Sequence, residues 1–164
     1  MRKISQTVAI ALGVMIVGAA FTASAQQTGK QAAHARHDGF EKLGDAFEKL
    51  DKQAKKPKPD AAVVQREAAQ VLALGKESAN WFPAGSGPGN GFKTHARAEV
   101  WTQTADFNTL QETFMAAAEK LNQAAAAGDM SVIAAQVEHT GEACGECHKK
   151  FRKESSLFSI FSGD

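Results

Sequence analysis

The chain has 164 residues, 43% of them hydrophobic and 23% charged, and a formal charge of +1. That balance offers no basic excess to hold nucleic acid or an anionic membrane. Its only two cysteines lie three residues apart, which excludes a disulfide framework.

In chain order, Arg2 and Lys3 precede an apolar run from Val8 to Phe21, closed by Ala23-Ser24-Ala25. This is the order of a secretory signal, with cleavage expected after Ala25. The run is shorter than the roughly 20 residues needed to span a bilayer, which argues against a membrane anchor. Removing residues 1–25 takes away two basic residues and no acidic ones, so the formal charge becomes −1. Residues 26–164 remain, the length of one domain. The expected compartment is a bacterial periplasm, with no membrane attachment after cleavage.

Phe40, Leu43, Phe47 and Leu50 recur at spacings of three, four and three, and "FEKL" repeats after one heptad. This narrow seam predicts a first helix from about Thr28 to Lys55, ending before Pro57 and Pro59. Asp60 is an expected N-cap for a second helix, Ala61 to Ser78, with Val64, Val71 and Leu72 inward. The Gly- and Pro-rich stretch from Trp81 to Trp101 cannot continue a helix and is expected to be a long loop. A third helix is predicted from Thr104 to Ala126, with Phe107, Leu110, Phe114 and Leu121 on one face. Gly128-Asp129 breaks and recaps the chain, and a fourth helix is predicted from Met130 to Lys153. Without strand-like alternation anywhere, the fold class is all-α, a four-helix bundle. Apolar residues Leu157, Phe158, Ile160 and Phe161 form a tail after about residue 154, either docked on the bundle or meeting a partner.

Within the fourth helix, Cys144-Gly145-Glu146-Cys147-His148 is C-x-x-C-H, the attachment signature of c-type haem. Two thiols at this spacing reach two vinyl groups on one porphyrin edge and form thioethers. The adjacent His148 then offers its imidazole as axial iron ligand. A thioredoxin-like pair would need a βαβ context, and zinc would need a second Cys/His cluster; neither pattern is present.

A haem motif on the last of four helices resembles cytochrome c′, the class II cytochrome family. Phe151-Arg152 after His148, "FPAGSGPG" in the loop, and "AEVW" at 98–101 are similar to that family's motifs. Ala98 stands where the family usually has Pro. The resemblance spans about residues 30–153. It implies an up-down antiparallel four-helix bundle with one covalent haem c, periplasmic and commonly homodimeric through the first two helices.

The resemblance also assigns site residues. Arg36 would lie near the haem propionates, and Phe40 would cover the distal iron face. A phenyl ring has no lone pair, which implies five-coordinate, high-spin iron; low-spin relatives carry Met there. A slip of one turn would bring Ala33, His37 or Leu43 to the iron, with His37 otherwise at the propionate edge. Thr94 and Trp101 are expected haem contacts from the loop, and Arg152 lies on the proximal side. His34, His95 and His139 are read as solvent-facing or capping groups.

The function so implied is binding of NO and CO, with electron transfer to an unknown periplasmic partner. The alternative is a low-spin, six-coordinate electron carrier. No distal acid–base pair is evident, so neither peroxidase nor NO-consuming activity is the main expectation.

Overall fold

Asp60 and Asp129 start two of the helices by the same device. Asp60 accepts hydrogen bonds from the Ala62 and Val63 amides at 3.0 and 3.2 Å. Asp129 accepts from those of Ser131 and Val132 at 2.9 and 3.3 Å. Each satisfies amide donors that a helix start leaves without partners. The structure, a computed structural model, describes residues 14–153, with side chains from residue 28 onward. Residues 1–13, part of the expected signal, and the Leu157–Phe161 tail lie outside the described residues.

Five helices are described: α1 Val14–Ala54, α2 Ala61–Ser78, α3 Glu99–Thr102, α4 Thr104–Ala127 and α5 Met130–Phe151. Three expectations need correction. The first helix begins at Val14 rather than Thr28 and passes through the expected cleavage point, because no proline interrupts residues 14–54. A one-turn helix, α3, lies in the segment read as loop. The last helix stops at Phe151, two residues early, because residues 152–153 turn extended and pair with the loop. Arg97 N donates to the Phe151 carbonyl at 2.9 Å, and Lys153 N to the His95 carbonyl at 2.8 Å. Ala96 and Arg152 thus form an isolated antiparallel bridge.

The four long helices close a ring in the order α1–α2–α4–α5, while α3 touches only α4 and α5. Short connections at 55–60 and at Gly128-Asp129 make neighbours antiparallel, an up-down bundle. Gly128 takes φ 82°, the left-handed helix cap that glycine adopts without steric cost.

The core has three layers along the bundle. At the short-turn end, Leu50, Val64, Leu121, Ile133 and Val137 interlock. The middle layer joins Leu43, Val71, Leu74 and Phe114, with Trp81 and Cys144 packed against it. The layer at the loop end joins Val100, Phe107 and Phe151, with Phe82, Trp101 and Cys147 alongside. The expected seam therefore buries Leu43 and Leu50, but Phe40 remains 37% exposed. The two cysteines straddle the layers nearest the loop.

Candidate haem-attachment site

The pitch of α5 sets the site. Residues three apart share a helix face, so Cys144 and Cys147 both turn inward, half-buried and free. Burial, and secondarily Cys147, push the Cys144 thiol up to about 11. Burial alone raises that of Cys147. Both are therefore neutral thiols at pH 7. His148 lies at the solvent side of the same helix end. Partial burial, then the Arg152 charge, lower its pKa, so the imidazole is neutral and its ring nitrogen lone pair is available. An open groove of about 590 Å³ lies beside it, lined by His148, Arg152, Arg97 and Pro88 among others.

Arg36 is the buried charge of the site, 4% exposed. Its Nη1 donates to the Trp81 carbonyl at 3.0 Å and to Ser86 Oγ at 2.9 Å. Its Nη2 donates to the Ser86 carbonyl at 2.8 Å and to Thr94 Oγ1 at 2.9 Å. The guanidinium also lies over the rings of Phe82 and Trp101, at 4.9 and 5.5 Å. All four acceptors are neutral, and burial lowers the Arg36 pKa. Among the described ion pairs none supplies Arg36 with a carboxylate. A cation buried without a counter-charge is costly, and a propionate is the kind of group that would relieve it. The half-buried thiol pair, the neutral imidazole and this cation fit a haem c.

Phe40, one turn after Arg36, stands edge-to-face with Trp81 at 4.8 Å and tilted against Phe82 at 5.9 Å. From Phe82 the rings continue to Phe107 at 4.8 Å and to Phe151 at 5.2 Å, and sideways to Trp101 at 6.0 Å. Aromatic packing thus runs from the expected distal residue to the end of the motif helix. Trp101 is fixed by its Nε1, which donates to the Phe82 and Pro83 carbonyls at 3.2 Å each.

The structure brings Arg36, Phe40, Thr94, Trp101, Cys144 and Cys147 to the loop end of the bundle, with His148 and Arg152 at its rim. His37 lies at the same level of α1 but on its outer face. That side chain is exposed and pairs with Glu41 at 3.2 Å, because it lies one residue, about 100° of helix, beyond Arg36. His34, His95 and His139 are exposed, as expected. Sequence reasoning missed Trp81, Phe82 and Ser86 as site residues. The signal was two adjacent aromatics opening a stretch that glycine and proline keep out of any helix.

Comparison with known proteins agrees with this geometry. A family model described as cytochrome c′ matches residues 31–152. The cytochrome c′ of Rubrivivax gelatinosus is 34% identical over 120 residues, which cover 73% of this chain and 92% of the relative. The crystal structure of a Rubrivivax gelatinosus cytochrome c′ superposes with a TM-score of 0.71 at 33% identity, covering 76% of this chain and 97% of that one. A nitric oxide complex of a variant cytochrome c′ from Alcaligenes xylosoxidans gives a TM-score of 0.70 at 26% identity, covering 77% and 97%. With the motif, the bundle and these relatives in agreement, the chain belongs to the cytochrome c′ family.

Proposed function

We propose that the protein is an exported, periplasmic haem c protein whose iron is five-coordinate and high-spin, and which takes NO and CO on the face covered by Phe40. The haem supplies a redox-active iron able to bind small neutral ligands. Cys144 and Cys147 would hold it covalently, each S–H adding across a vinyl group, and His148 would offer its imidazole to the iron. Arg36 balances a propionate, while Thr94, Trp101 and Arg152 line the surroundings.

The observation that carries this reading is Phe40. Its ring packs against the rings of Trp81 and Phe82, and the phenyl itself has neither a lone pair nor a polar proton to offer an incoming ligand. Such a face disfavours anions and water and admits neutral diatomics. Membership in a haem protein family that has an NO-bound relative supports it. Electron transfer with an undetermined periplasmic partner is compatible with the same site, as is a homodimer through α1 and α2. Cleavage after Ala25 would leave α1 starting at Gln26.

Optical and spin-resonance spectra of the ferric protein test the reading, with a high-spin signal expected and a spectral shift when CO meets the reduced form. A low-spin spectrum indifferent to CO would overturn it in favour of an electron carrier.

A further inference from the structure

One face of α1 meets Trp81 at three points, one on its backbone and two on its indole. Arg36 holds the Trp81 carbonyl at 3.0 Å. Phe40 stacks edge-to-face on the ring, 4.8 Å between centroids and 85° between planes. Between them Gly39 is bare: a Cβ there would lie 2.5 Å from both Cζ2 and Cη2 of the indole. Glycine inside a helix costs about 1 kcal/mol relative to alanine. Here that cost leaves a notch into which the ring fits.

We propose that Trp81 is the positioning residue of the ligand face. Seated in the Gly39 notch, it fixes the orientation of the Phe40 ring and so sets how readily a small gas passes. The inference rests on the reading that Phe40 covers the iron. Phe40 has only two side-chain torsions and is 37% exposed. The rings that restrain it are Trp81 and Phe82, and the nearer in centroid distance is Trp81. Trp81 packs at the same time against the middle core layer, on which Cys144 also rests, so the two share a support. The backbone at Trp81 is held in turn, since its amide donates to the Ser78 carbonyl at 3.1 Å.

The test is a double-mutant cycle on the haem-loaded full chain, read by the CO association rate of the reduced protein and by the ferric optical spectrum. Phe40→Ala is expected to speed association. Trp81→Ala should speed it by roughly tenfold, the scale that one aromatic pair contributes. It should add nothing in the Phe40→Ala background, and the ferric spectrum should stay unchanged. Trp81→Phe should fall between, and Gly39→Ala, which expels the indole while keeping it in the chain, should match Trp81→Ala. If Trp81→Ala does not fold, these two carry the test. An unchanged rate in Phe40→Ala sinks the reading of the distal face itself. A faster Phe40→Ala together with an unchanged or fully multiplicative Trp81 effect overturns only the role of Trp81, as does a changed ferric spectrum in Trp81→Phe.

Discussion

Replacing Arg36 by Met keeps an unbranched apolar stem, shortens the side chain by the guanidinium and removes every donor. Of its four acceptors, Ser86 Oγ keeps its bond to the Pro83 carbonyl, and Thr94 Oγ1 keeps the Ala96 amide. The carbonyls of Trp81 and Ser86 lose the donor that Arg36 gives them. Each such loss costs about 1–3 kcal/mol. Losing the cation over Phe82 and Trp101 adds about 1–2 kcal/mol. Against this, removing a buried charge that lacks a carboxylate recovers part of its desolvation. The net expectation is a loss of about 3–5 kcal/mol in urea unfolding followed by circular dichroism. Faster tryptic cutting at exposed Lys93 should accompany it, because the loop is what the guanidinium holds. Arg36→Lys should recover only part, since one ammonium cannot reproduce a planar fork. A loss below about 1 kcal/mol with unchanged cutting would refute the argument that Arg36 organises the loop.

Phe40→Met should convert the ferric spectrum partly toward low-spin, as a thioether reaches the iron; an unchanged spectrum would mean another residue occupies that position. Leu50→Ala, at a fully buried site in the layer farthest from the loop, should cost about 2–5 kcal/mol while leaving the CO rate of the loaded protein alone. In the haem-free chain the raised thiol of Cys144 makes stability fall as pH rises from about 9 to about 11, because the unfolded chain loses that proton first. A thioether has no proton to lose, so the haem-loaded protein should lack this fall, and equal curves for the two forms would contradict it. Asp129, held below the usual carboxylate range chiefly by the Ser131 hydroxyl and then by the Val132 and Ser131 amides, should lose its stabilising effect as pH falls through its folded value. Asp129→Ala should remove that acid-side dependence from the unfolding curve.

Elements bounded by local chemistry were legible in the sequence. Asp60 and Asp129 supply caps from their own side chains, and Gly128 supplies a left-handed turn, so α2, α4 and α5 begin or end close to where the residues indicate. Cys144, Cys147 and His148 were legible because their spacing on one helix is itself the chemistry. The loop was opaque for the opposite reason. Its hydrogen bonds from Arg36 reach 45 to 58 residues along the chain, and nothing in "WFPAGSGPGN" shows that Trp81 answers to Gly39 or Ser86 to Arg36. The Ala96–Arg152 bridge and the early end of α5 likewise depend on two segments meeting only in the finished fold.

The packing of the two sulfurs has a consequence for assembly order. Cys144 lies against the layer holding Trp81, and Cys147 against the one holding Phe82 and Trp101. All three aromatics belong to the segment between α2 and α4, whose far end is sewn to residues 151–153 by two backbone bonds. Both thiols are half-buried beside that segment, and a bulky planar group would meet them most freely while the segment stands open. If a haem joins these thiols, its attachment is expected before the segment docks, with α5 presented but not yet covered. In that order, the piece of chain that docks last would be the one that encloses the cofactor.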